Sequence, residues 1–232
     1  MSDKIDLTYL RQIADSFNSS CKFYAKYEDD YSDIPDNILN EEESELLMKT
    51  DISSSCIKIK NFINPQHDTR LLDIGCFLNI LLYDYAEWES KYYGIDISEN
   101  VVKECKKIAK KFKYSIGGVR LCPAHFIDFE NGFFDYVTCI NVFEYFSIPY
   151  AKQVLKEVYR VLKPKGKFVV DIPNPNHKCF YIMKKIEKYF NRENRFLEGE
   201  SKFEELIQNQ FEIIDKDSSD LMVKYFLIKN GV

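Results

Sequence analysis

Acidic and glycine residues at the ends of two apolar runs are the residues of this chain best suited to bind a ligand. An apolar pair precedes Asp73 and Gly75, and the run 91–95 ends on Asp96. A short apolar run that leads into an acid and a glycine is typical of a buried strand followed by a tight turn. The glycine lets backbone N–H groups approach a ligand, and an acid at a strand end can accept hydrogen bonds from ribose hydroxyls. The pattern predicts a nucleotide-binding site.

The elements that must position these residues form a repeating α/β unit. Residues 78–88 are predicted to form a helix between the two strands. Strand, glycine turn, helix, strand and terminal acid make up the first unit of a nucleotide-binding α/β fold. The dinucleotide fingerprint GxGxxG is absent, which argues against a nicotinamide-dependent dehydrogenase.

The segment LLDIGC followed by YYGIDIS resembles motif I and the second-strand acid of class I S-adenosylmethionine-dependent methyltransferases. That family's motif, acid-x-Gly-x-Gly-x-Gly, falls on Asp73, Gly75, Phe77 and Asn79. The acid and the first glycine match, and Phe77 and Asn79 replace the other two glycines. Asparagine tolerates a left-handed backbone, so Asn79 can keep a turn there. The ring of Phe77 points either into the core, which we expect, or into the pocket.

Two later segments extend the resemblance to about residues 70–229. FDYVTCIN resembles the family's Phe-Asp-x-Val strand, and VFEYF follows where the family has Leu-Glu-His, with Tyr145 in the place of the histidine. A predicted helix, the turn LKPKG and a further strand then follow, as in the family. The resemblance implies an α/β fold with a Rossmann-like seven-stranded sheet, mostly parallel, its last strand antiparallel, flanked by helices.

The resemblance also implies S-adenosylmethionine as the cofactor and assigns residues to it. Asp73 would order the methionine end, Asp96 would bind the ribose hydroxyls, and Asn141 would face the methyl group. The family's adenine-reading acid is missing near residues 123–125, although Asp128 is close in sequence. The implied cofactor-binding residues are Asp73, Gly75, Cys76, Asp96, Ile97, Ala124 and Asn141.

Methyl transfer is a direct displacement that needs alignment more than an acid or a base, so we assign no catalytic residue. His177, Tyr145 and Glu144 are candidates for a base that deprotonates the acceptor. A lone histidine or tyrosine in such a place is more often packed than catalytic.

The chain is predicted to divide into an N-terminal helical cap, 1–64, and a methyltransferase core, 65–232, with an insertion at about 175–200. The helix predicted over residues 5–27 either packs on the core or covers the substrate pocket. The insertion, aromatic and basic, either covers the sheet edge or forms the second wall of that pocket. The acidic segment 28–45 is expected to be solvated.

Composition narrows the class of protein. The chain has 232 residues, 45% of them hydrophobic, and a net charge of −5, which argues against nucleic acid as the main partner. Seven cysteines without a CxxC pair and three histidines argue against a zinc site, and no metal is expected. The lack of a signal peptide or an apolar span favours a cytoplasmic protein with reduced thiols.

The function expected from the sequence is S-adenosylmethionine-dependent methyl transfer to a small molecule through an O, N or C nucleophile. The alternative is a binding or scaffold protein that keeps the methyltransferase fold and has lost its cofactor. The sequence leaves the acceptor and the oligomeric state open.

Overall fold

The computed structural model describes residues 5–24, 38–48, 52–77 and 79–231. These residues form a seven-stranded sheet in the order β3-β2-β1-β4-β5-β7-β6. All neighbouring strands are parallel except β7, which is antiparallel to both β5 and β6. The strands are β1 (Arg70–Ile74), β2 (Lys91–Asp96), β3 (Gly118–Leu121), β4 (Phe134–Cys139), β5 (Leu162–Pro173), β6 (Phe211–Asp217) and β7 (Met222–Lys229).

Helices cover both faces of this sheet, as the parallel strands require because they are apolar on both sides. The helices are α1 (Leu7–Tyr24), α2 (Glu41–Met48), α3 (Ile52–Ile63), α4 (Asn79–Leu82), α5 (Glu99–Lys111), α6 (Ile148–Val161), α7 (Phe180–Tyr189) and α8 (Gly199–Ile207). The predicted fold class, an α/β sheet with an antiparallel last strand, is confirmed.

Two apolar cores lie on opposite faces of the sheet. One contains the buried face of α6 together with Tyr9 and Ile13 of α1 and Phe203 of α8. The other contains the buried face of α5 together with Ile59 and Ile63 of α3. Helix α3 is therefore part of the layer that covers the sheet, and the division into a cap over 1–64 and a core over 65–232 stays a prediction. The solvated segment predicted over 28–45 lies mostly outside the described residues.

The N-terminal helix α1 is anchored to the start of α5 through Asn18. The Oδ1 atom of Asn18 accepts hydrogen bonds from Ser98 Oγ at 2.7 Å and from the backbone N–H of Asn100 at 3.1 Å. Ser98 itself caps α5 by accepting from the backbone N–H of Val101 at 3.2 Å. Because an N-cap satisfies otherwise unpaired N–H groups, α1 and the start of α5 stabilise each other.

The same helix is bound on its other side by the segment after α7. Gln12 Nε2 donates to the backbone oxygen of Asn191 at 2.9 Å, and Ser16 Oγ donates to that of Phe190 at 2.6 Å. Arg195 forms an ion pair with Asp6 at 3.0 Å. Helix α1 and the segment after α7 thus lie against each other, although more than 170 residues separate them in the chain.

The helix predicted over residues 78–88 is shorter than expected. It comprises α4 alone, and a 3₁₀ turn follows over Tyr85–Glu87. Asp84 between them has a left-handed φ of 51°, which ends the helix. The rings of Tyr83 and Tyr85 stack at 5.2 Å and that of Trp88 packs against Tyr85 at 4.8 Å. This aromatic packing in the core overrides the helical pattern of the sequence.

No helix among the described residues is long and apolar enough to cross a membrane.

We expect Asn18→Ala to lower the free energy of unfolding by about 0.5–2 kcal/mol, the usual cost of losing a capping side chain. Urea unfolding measures this loss. Asp15→Ala, on the exposed side of the same helix, is the control and should have a much smaller effect. Equal stability of Asn18→Ala and wild type would mean that the contact with α5 does not anchor α1.

Candidate active site

A cavity of about 340 Å³ opens at the carboxyl ends of the parallel strands. Open α/β sheets bind ligands at this edge, and a volume above about 300 Å³ is in the range of small-molecule sites. Its floor comes from the ends of β1, β2 and β4 and its cover from α1 and α7. Of the seven residues predicted to bind the cofactor, five line this cavity: Gly75, Asp96, Ile97, Ala124 and Asn141.

Gly75 forms the tight turn that the sequence predicted after β1. Its φ is +69°, and an added Cβ would lie 2.2 Å from Cγ2 of Val142. A side chain at this position would both strain the backbone and collide with the neighbouring loop. The turn therefore needs glycine, and it leaves the backbone of residue 75 at the surface of the cavity.

Asp96 ends β2 and presents its carboxylate at the cavity wall. Its Oδ1 accepts the backbone N–H of Ser98 at 2.8 Å, and among the described residues no side chain donates to it. Burial raises the pKa of Asp96 to about 7, although the bond from Ser98 opposes this shift. The carboxylate can therefore accept hydrogen bonds from ligand hydroxyls.

Asp73 and Cys76 do not line the cavity. The Asp73 carboxylate is fully buried and accepts hydrogen bonds from Thr138 at 3.0 Å, Tyr92 at 3.0 Å and Asn79 at 3.3 Å. Cys76, expected to lend its backbone to the cofactor, donates its N–H to the backbone oxygen of Ile95 at 3.2 Å, and its sulfur lies 4.0 Å from that of Cys105. The bonds of Asp73 connect β1 with the neighbouring segments, and one of its donors, Asn79, lines the cavity.

Asn141, at the end of β4, is held by an acid that the sequence reading did not single out. Its backbone N–H donates to Asp171 Oδ1 at 2.8 Å, and its φ is +56°. Asp171 is fully buried on β5, and burial raises its pKa to about 6. The feature of the sequence that could have identified Asp171 is an acidic residue within a run of apolar strand residues.

Phe77 is half-buried, and its ring borders the cavity while also packing on the apolar core that contains α5. Its ring lies 5.6 Å from that of Phe17 in α1. The ring is therefore not turned fully into the core, as we expected, because it also borders the cavity. It forms part of the contact between the turn after β1 and the covering helix.

Both flanking segments border the cavity. Leu10, Ile13 and Phe17 of α1 line it, while Tyr9 and Ile13 also pack in the core, so α1 has both of the arrangements that the sequence left open. Met183 and Ile186 of α7 line it as well, so the insertion forms a second wall. None of these five residues was predicted individually, because their apolar spacing is the same as that of any packing helix.

The base candidates differ in their surroundings. Glu144 and Tyr145 line the cavity, and the phenol of Tyr145 donates to Glu187 Oε2 at 2.7 Å. His177 does not line it, and its Nδ1 accepts the backbone N–H of Cys179 at 3.1 Å. Asp128, the alternative adenine-reading acid, pairs with Arg120 at 3.3 Å and also lies outside the cavity.

Known proteins match the region that builds this site. Residues 72–170 match the model of a methyltransferase domain family. The match spans β1 to β5 and therefore includes Gly75, Asp96 and Asn141. Over these residues the chain is similar to a methyltransferase domain, as its resemblance to the class I S-adenosylmethionine-dependent methyltransferases predicted.

The individual proteins to which the chain is similar are distant in sequence. The ubiquinone biosynthesis O-methyltransferase of Idiomarina loihiensis is 27% identical over 53% of this chain and 50% of its own length. The demethylmenaquinone methyltransferase of Listeria welshimeri is 32% identical over 48% of each. The chain thus spans about half the length of these curated relatives.

The fold is shared over a longer stretch than the sequence. The geranyl diphosphate C-methyltransferase of Streptomyces coelicolor, solved with S-adenosyl-L-homocysteine, superposes with a TM-score of 0.67 at 14% identity. The superposition covers 97% of this chain and 98% of that chain. It shows that the helices outside the matched domain, like the sheet itself, have counterparts in that structure.

The buried acid Asp73 should make stability depend on pH. Burial raises the pKa of Asp73 to about 7. A carboxyl that holds its proton more tightly in the folded than in the unfolded chain contributes stability below its unfolded pKa, and that contribution is lost as the pH rises through the folded pKa. We expect the free energy of unfolding of wild type, relative to Asp73→Asn, to decrease between about pH 4 and 7. Urea titrations of both proteins across this range measure the difference in the free energy of unfolding. A difference that does not change with pH would contradict the raised pKa of Asp73.

Proposed function

We propose that this protein transfers a methyl group from S-adenosylmethionine to a small molecule bound in the cavity between α1, α7 and the edge of the sheet. The observation that carries the proposal is the convergence of Gly75, Asp96 and Asn141 on one cavity. These residues lie at the ends of three neighbouring strands, where the family resemblance assigns the cofactor.

The residues present fit this cofactor. Gly75 brings a bare backbone to the cavity, and Asp96 offers a buried carboxylate to which no described side chain donates. Ile97 and Ala124 give the same end of the cavity an apolar wall that suits an adenine ring. S-adenosylmethionine, when bound, supplies an electrophilic methyl group.

Besides binding the cofactor, the protein must align the acceptor with it and exclude water from the cavity. Helices α1 and α7 enclose the cavity from the side opposite the strands, with Phe17, Met183 and Ile186 facing it. Holding two reactants in line in a dry site can supply about 7–11 kcal/mol of the barrier without any acid or base. The size of the cavity and its apolar cover support a small-molecule acceptor.

The six cysteines that the structure describes are all thiols, which supports a reducing compartment such as the cytoplasm.

We expect Asp96→Ala to weaken S-adenosylmethionine binding by roughly ten- to a hundredfold, because a hydrogen bond to a charged group contributes about 1.5–3 kcal/mol. Isothermal titration of wild type and variant measures the change. Asp128→Ala, a carboxylate outside the cavity, is the matched control and should bind as wild type does.

The titration of wild type also decides between the proposal and the alternative of a scaffold that has lost its cofactor. No binding of S-adenosylmethionine by wild type would support the scaffold. Binding by wild type that survives in Asp96→Ala would keep the cofactor and remove Asp96 from the site.

A further inference from the structure

We propose that the acceptor is an amine carried on an apolar body, bound at the end of the cavity formed by Glu144, Tyr145 and Glu187. This inference rests on the proposed function and specifies its substrate class.

The first observation is a buried carboxylate without a partner. Glu144 is 5% exposed, borders the cavity, and has no hydrogen bond to its Oε2 atom within the part of the chain that the structure describes. Its backbone oxygen is already satisfied by the N–H groups of Arg195 and Phe196 at 2.7 and 3.1 Å, so the turn that carries it is held in place. A buried carboxylate without a donor is costly, and a ligand that donates a hydrogen bond there removes that cost.

The second observation is the charge of the cavity wall. Among the described lining residues, the acids Asp96, Glu144 and Glu187 stand against a single cation, Arg192. The guanidinium of Arg192 stacks on the ring of Phe17 at 3.8 Å, and its Nε donates to Ser16 at 2.9 Å. Such a wall offers one cation to an anionic acceptor, whereas a cationic acceptor would favour ionisation of the three acids, whose pKa values burial raises.

The third observation is that the carboxylates have distinct surroundings. Glu187 already accepts the phenol of Tyr145, whereas no donor among the described residues reaches Oε2 of Glu144. Burial first, and Asp171 second, raise the pKa of Glu144 well above its ordinary value. An ammonium group beside Glu144 would relieve both effects, which a neutral hydroxyl would not.

The same arrangement suits the proton that an amine must lose. An ammonium nitrogen has no free lone pair, so one proton has to leave it before the nitrogen can attack a carbon. Oε2 of Glu144 can take that proton, which leaves a neutral amine and a neutral carboxylic acid. The apolar side chains of Phe146 and Met183 at the same cavity can hold a hydrophobic body.

The experiment compares three ligands of nearly the same shape by isothermal titration into the wild-type protein: 2-phenylethylamine, 2-phenylethanol and 3-phenylpropionate. We expect the amine to bind at least about tenfold more tightly than the alcohol, and the carboxylate to bind most weakly. Glu144→Gln should lower the affinity for the amine about tenfold and leave that for the alcohol unchanged. Glu212→Gln, an exposed carboxylate on β6, is the control and should bind like wild type.

Equal affinities for the three ligands, or tighter binding of the alcohol or the carboxylate, would overturn the inference without any need for the variant. So would a Glu144→Gln protein that loses S-adenosylmethionine affinity while keeping that for the amine, since Glu144 would then serve the cofactor. S-adenosylmethionine is titrated separately into wild type. If it binds and the amine does not, the amine inference alone fails. If it does not bind, the proposed methyl transfer fails.

Discussion

The carboxylate of Asp73 is the interaction on which the geometry of the site depends. It is fully buried in β1 and joins three other segments: β2 through Tyr92, β4 through Thr138, and α4 through Asn79. The turn at Gly75 starts two residues later, with its backbone N–H bonded to Ile95 of β2 at 2.9 Å. The strand ends that carry the candidate site are therefore held at fixed distances by one buried acid, which the protein keeps at the cost of a raised pKa.

A second constraint is that the cavity is covered by two segments from distant parts of the sequence. Helix α1 and the segment after α7 are joined by bonds from Gln12 and Ser16 to backbone oxygens of residues 191 and 190. Helix α1 is also held at Asn18 to the start of α5, close to Asp96. The cover therefore contacts the proposed ribose end and the proposed acceptor end of the cavity. Bonds to both neighbours thus fix α1 in addition to the packing of Tyr9 and Ile13 in the core.

Aromatic residues replace family residues at two points of this arrangement, and the structure places both against α1. Phe77, in the place of the second motif I glycine, contacts Phe17 at 5.6 Å. Tyr145, in the place of the family's histidine, contacts the same ring at 5.8 Å. Edge-to-face and tilted aromatic pairs at these distances are favourable. The two residues that depart from the family pattern therefore contact the same ring, that of Phe17 in the covering helix.

The sequence by itself determined the sheet and the backbone of the site. Apolar runs that end in Asp73 and Asp96, the glycine turn at Gly75, and the later FDYV and LKPKG segments are local patterns, and local patterns are legible without a structure. Tertiary structure alone decided which side chains reach the cavity. Position near the end of β1 placed Asp73 and Cys76 in the predicted site, but packing directs the Asp73 carboxylate to Tyr92, Thr138 and Asn79 and the Cys76 sulfur toward Cys105. The sequence did not identify Glu187 and Asp171 as residues of the site. Their roles arise from contacts with Tyr145 and Asn141, which lie 42 and 30 positions away in the chain. Periodicity shows that a helix has an apolar face, but only packing shows whether that face meets a core or a ligand.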